Sequence, residues 1–126
     1  MSTQLRADID RVLAAARDHV RGAEGGDPGL VDDVMRLVDE ALRFLEQDRA
    51  IWEARQIVLE RLENVPRLIE LNMTGPYDRR SKRSITTARA HSVEAINHLQ
   101  AQIMRNGRVN AAGDRVGPGK VGTAIR

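Results

Sequence analysis

The chain has 126 residues, no cysteine, and three aromatic side chains, Phe44, Trp52 and Tyr77. The missing thiols exclude disulfides, thiolate metal sites and cysteine nucleophiles, and the scarcity of rings leaves a core of Leu, Ile, Val, Ala and Met, which suits helix packing. Charge is split along the chain: residues 1–78 hold ten Lys or Arg against sixteen Asp or Glu, and residues 79–126 hold ten against two. An acidic half that avoids phosphate and a basic segment that seeks phosphate or an acidic protein face are joined in one molecule.

The first helix is expected from Ser2 to Arg21, where Leu5, Ile9, Val12, Leu13, Ala16 and Val20 recur at steps of three and four. It stops at Gly22, in a linker running to Gly29 that concentrates glycine around Pro28. Asp27 and Pro28 read as an N-cap and first-turn proline, followed by Asp32 and Asp33 where carboxylates favour the helix dipole. A second stripe runs through Leu30, Val34, Leu37, Val38, Ala41, Leu42 and Leu45. It meets Asp48 where a core residue is due, and resumes through Ile51, Trp52, Val58, Leu62, Val65 and Ile69. Either a break lies near Gln47 to Arg49 or one long helix rotates its buried face there, and because no glycine or proline stands in that stretch the continuous helix is the favoured expectation. Pro66 predicts a kink or a restart between Glu63 and Arg67, and Asn72, Gly75 and Pro76 end the segment.

The last helix spans about Ser81 to Arg105 and stops at Asn106-Gly107. Its narrow seam, Ile85, Ala88, Ser92, Ile96, Leu99 and Ile103, is of the kind a second copy of the chain covers, so Ile85, Ala88, Ile96, Leu99 and Ile103 are read as an oligomer seam. The resulting class is all-α: three or four amphipathic helices in a hairpin or bundle within residues 1–107, followed by an extended, glycine-rich basic arm over 108–126. The arm cations are Arg108, Arg115, Lys120 and Arg126. No stretch approaches the roughly 18–20 apolar residues of a membrane span, and the amino terminus has no apolar targeting segment, so the expected setting is cytoplasmic or within an assembled virion, with no membrane partner.

No motif carries chemistry. His91, Glu94 and His98 share a helical face, yet they lack the second Glu-x-x-His set that a di-iron bundle needs, and a solvated face with a Glu94–His98 pair explains them. His19, near the end of the first helix, complements its dipole. The serines and threonines lack a nucleophile elbow or a base partner, and the glycines of 113–122 form neither a dinucleotide turn nor a phosphate loop. No enzyme, cofactor or metal site is therefore expected.

The basic helix start does suggest binding. Arg79, Arg80, Lys82 and Arg83, with Arg89 further on, stand where free amide groups also favour anions, and they suit phosphates or an acidic protein surface. The chain supplies such a surface in Asp32, Asp33, Asp39, Glu40 and Glu46, on its own second helix or on that of a neighbouring subunit, which favours protein over nucleic acid. Trp52 reads as a core or interface anchor. The leading expectation is a non-enzymatic, self-associating assembly protein. By analogy it looks like subunits of bacteriophage heads, connectors or packaging machines, and its basic arm reaches onto other subunits. The alternative is a small DNA-binding accessory or regulatory protein using the basic start at 79–89.

Overall fold

In the computed structural model the described residues are 1–22, 29–73 and 79–110, with the side chains of 72–73 and 79–81 outside that description. They form four helices: α1 (Thr3–Gly22), α2 (Leu30–Leu42), α3 (Arg49–Met73) and α4 (Arg79–Asn106). The all-α expectation holds, and no helix among the described residues is long and apolar enough to cross a membrane. The packing is bundle-like, with α3 against α4, α1 against both α2 and α4, and α2 against α3.

Each helix forms where its apolar stripe can be covered. Ser2 caps α1, its Oγ accepting from the Leu5 amide at 3.0 Å and its carbonyl from Arg6 at 3.0 Å. Ile9, Leu13, Ala16 and Val20 of α1 are buried against a core that includes Val34 and Val38 of α2, Val58 and Leu62 of α3, and Ile96 and Leu99 of α4. Removing each large aliphatic side chain from water contributes about 1.5–3 kcal/mol, so this shared core dominates over the caps at about 1 kcal/mol. A polar relay also crosses from α1 to α4. Arg17 donates to Gln100 Oε1 at 2.7 Å, and Gln100 Nε2 donates to Asp10 at 2.8 Å.

Two boundaries differ from the sequence expectation, and of the kink or restart expected at Pro66 the restart is absent. The α2 start falls at Leu30, with Gly29 in the N-cap position and no side-chain cap, because the Gly29 carbonyl accepts the first helical bond from Asp33 at 2.8 Å. Asp27 and Pro28 lie outside the described residues.

The continuous helix expected across Asp48 is corrected to a break between Leu42 and Arg49. The last turn of α2 tightens, with Arg43 donating to Glu40 at 3.3 Å and Leu45 to Leu42 at 3.1 Å. Leu45 then pairs antiparallel with Val109, a contact framed by Glu46 N–H to the Arg108 carbonyl at 2.7 Å and Asn110 N–H to the Phe44 carbonyl at 2.9 Å. The segment that follows α4 thus satisfies backbone groups that a break would otherwise leave without partners. Asp48 interrupts the stripe because it precedes a new helix: its carbonyl accepts from Trp52 at 2.8 Å.

At Pro66 no restart occurs. The α3 helix runs through it, with Pro66 exposed while Val58, Leu62 and Val65 before it are buried and Leu68 and Ile69 after it pack on the same core. Apolar contact on both sides of the proline offsets the roughly 3 kcal/mol that it costs inside a helix.

Candidate functional site

The basic start of α4 faces a groove whose other wall is α3. Arg83, Ser84, Thr87, Ala88 and His91 line one side, and Arg61, Asn64, Arg67 and Leu68 the other, enclosing about 600 Å³. Only five residues join α3 to α4 and the two helices pack closely on each other, so they run antiparallel. Ser84, Thr87 and His91 recur at steps of three and four, as do Arg61, Asn64 and Arg67 or Leu68, so both walls are single helix faces. Arg67 donates to Asn64 Oδ1 at 3.3 Å, which holds that guanidinium along its own helix. No carboxylate stands among the described residues that line the groove.

Of the sequence-chosen cations whose side chains are described, only Arg83 lines this groove. Lys82 is exposed beside it. Arg89 is partly buried, and its Nε is buried with no hydrogen-bond partner among the described residues. Arg79 and Arg80 begin α4 with side chains outside the described residues. Arg61 and Arg67 were missed because they sit in the acidic half of the sequence. Their spacing along one α3 face was the available signal.

Two of the five carboxylates expected to complement these cations, Asp39 and Asp33, are engaged elsewhere, while Asp32, Glu40 and Glu46 are exposed. Asp39 on α2 accepts from Arg55 Nε at 2.7 Å and Nη2 at 3.0 Å. Asp33 lies 3.7 Å from His19 Nε2 and 4.0 Å from Arg36. The α2 helix packs on α1 and α3.

A second concavity of about 850 Å³ lies at the α2–α3 corner. Leu42, Leu45, Ile51 and Trp52 form its apolar part, and Asp39, Arg43, Glu46, Asp48, Arg49, Arg55 and Asn110 its mixed-sign rim. Trp52 is 55% exposed, so it is not a core residue of this chain. The Arg55 guanidinium stacks over its ring at 5.2 Å and is fixed by the two bonds to Asp39. The hydrogen bond to Asp39 raises the Arg55 pKa above its ordinary value against the opposing effect of burial, so this cation stays charged in any working buffer.

The five seam residues, Ile85, Ala88, Ile96, Leu99 and Ile103, are buried within the single chain, so that stripe is not the surface a second copy would cover. In the arm, Arg108 is exposed and engages the α2–α3 connection through its backbone; Arg115, Lys120 and Arg126 lie outside the described residues. His91, Glu94 and His98 are all exposed on α4, and no group of three or more His, Asp or Glu able to hold a metal occurs among the described residues. No family model, curated protein or solved structure matches the chain.

Proposed function

We propose that this chain is a non-enzymatic structural protein that assembles with itself and with other protein subunits. It is of the kind found in bacteriophage heads, connectors or packaging complexes, and works in the cytoplasm or in the assembled virion. The body is a helical bundle, and the basic arm after Asn110 contributes contacts to neighbours.

The observation that carries this reading is the Trp52 corner. A half-exposed tryptophan and an arginine held by a carboxylate stand over an apolar floor, with alternating charges around them. Binding surfaces between proteins concentrate their energy in such Trp and Arg anchors inside a polar rim. The arm leaves from the same place, since Asn110 lines this concavity.

Light scattering and sedimentation across a concentration series test the proposal. The wild type should show concentration-dependent mass. Trp52→Ala should weaken association by about 30-fold, the effect of losing an anchor of about 2 kcal/mol. Deleting residues 111–126 should leave helical content intact and also reduce assembly. A wild type that stays monomeric at high micromolar concentration, or a Trp52→Ala variant that assembles equally well, would refute the reading.

The DNA-binding alternative draws on a different surface, the α3–α4 groove. Its support is that Arg61, Arg67 and Arg83 line it.

A further inference from the structure

The α3–α4 groove combines features that share one chemical sense. Three arginines, Arg61, Arg67 and Arg83, line it together with the polar side chains of Asn64, Ser84, Thr87 and His91. Arginine forks match phosphate oxygens in two-point contacts, and hydroxyl and amide donors are the usual additional partners of a nucleic-acid backbone. Glu60 and Glu63 on α3 and Glu94 on α4 are exposed nearby without lining the groove. Its apolar floor is Leu68 and Ala88, with no aromatic ring among the described residues that line it on which an unpaired base would stack. Along α4 the lining runs from Arg83 to His91, about 12 Å at 1.5 Å per residue. One strand of a duplex presents about three to four phosphates over that length at 3.4 Å rise, close to the number of described arginines that line the groove.

From these observations we infer that the groove formed by Arg61, Asn64 and Arg67 of α3 with Arg83, Ser84, Thr87 and His91 of α4 binds the phosphodiester backbone of duplex nucleic acid, without reading base sequence. The inference gives the DNA-binding alternative a defined site. It is independent of the Trp52 corner, so a particle subunit that uses Trp52 for protein contacts carries nucleic acid on a separate face.

The test is fluorescence anisotropy of the full chain on two duplexes of about 20 base pairs and unrelated sequence, over a salt series. Both duplexes should bind equally, with affinity falling steeply as salt rises. The triple variant Arg61→Ala, Arg67→Ala, Arg83→Ala should flatten the log–log salt slope by about 2.7, at about 0.9 for each phosphate no longer neutralised. The charge-keeping triple variant with Lys at the same three positions should retain most of the slope. A control triple variant, Arg6→Ala, Arg11→Ala, Arg36→Ala, removes the same charge from exposed positions on α1 and α2 and should leave the slope nearly unchanged. Circular dichroism verifies the fold of each variant.

No binding by the wild type at low salt, an unchanged slope in the groove variant, or an equal flattening in the control would overturn the site. Displacement of the duplex by polyglutamate at equal charge concentration would also overturn it, in favour of an acidic protein partner. Trp52→Ala should leave the slope unchanged, so failure of the assembly reading and failure of this one are read separately.

Discussion

Replacing Gly107 with alanine should loosen the carboxyl-terminal strap from the body while leaving the four helices formed. A Cβ at position 107 would lie 2.5 Å from the Ile103 carbonyl oxygen and 3.2 Å from Met1 Cε, where ordinary contact begins at 3.4 Å. Met1 ends in a flexible chain and can move aside. The Ile103 oxygen cannot, because it is helix backbone and accepts the Gly107 amide at 2.8 Å. Relieving an overlap of nearly 1 Å therefore requires the backbone at 107 to rotate, which redirects Arg108–Asn110 away from Phe44–Glu46. Two backbone hydrogen bonds depend on that register, at 2.7 and 2.9 Å. At about 1 kcal/mol each, their loss predicts a destabilisation of about 2 kcal/mol, or roughly 8 °C or more in Tm for a domain of this size. Urea denaturation gives the free energy, and hydrogen exchange at the Glu46 and Asn110 amides reports the detachment directly. Gly22 supplies the contrast: it ends α1 with nothing within 4 Å of an added Cβ, so Gly22→Ala should stabilise by about 0.5–1 kcal/mol. The reasoning is refuted by a Gly107→Ala protein as stable as the wild type with both amides still protected.

Leu99→Ala should cost about 2–5 kcal/mol in urea unfolding, because Leu99 is fully buried in the single-chain core; a change in oligomeric mass with unaltered stability would restore the seam to the surface. Pro66→Ala, at an exposed site inside α3, should stabilise by about 1–3 kcal/mol through the recovered backbone donor, and a drop in stability would show that the helix depends on a bend there. Asp39→Asn weakens the two-point bond to Arg55, yet at a half-exposed carboxylate the cost should be about 1 kcal/mol or less in thermal denaturation. Because Arg55 stacks on Trp52, the same substitution should shift tryptophan fluorescence, and an unchanged spectrum would mean that the stack does not depend on Asp39.

The α1 and α4 helices are legible in the sequence because their apolar residues repeat at three and four over about four to five turns, a pattern that local geometry alone converts into a buried face. The break between Leu42 and Arg49 is not legible. No glycine or proline flanks Asp48; the partner that compensates the break is Arg108–Asn110, roughly sixty residues further on. The basic start is visible as a run, but of its described side chains only Arg83 lines the groove, and its companions Arg61 and Arg67 sit amid glutamates, where net charge hides them. Whether Trp52 faces the core or the surface depends on the phase of α3, which the interruption at Asp48 obscures in the sequence.

Composition and periodicity by themselves determined that this protein is helical, that its core is aliphatic, and that positive charge gathers at the start of α4 and beyond it. These are properties of residue type and spacing within a few turns, so they survive without knowledge of the fold. The tertiary structure alone decided what each face meets. It covers the α4 stripe with the chain's own helices, it runs α3 antiparallel to α4 so that arginines about twenty residues apart share one groove, and it exposes Trp52 beside the strap formed by the residues after α4. Charge summed along a sequence cannot report that arrangement, because electrostatic and apolar complementarity act through distance in space.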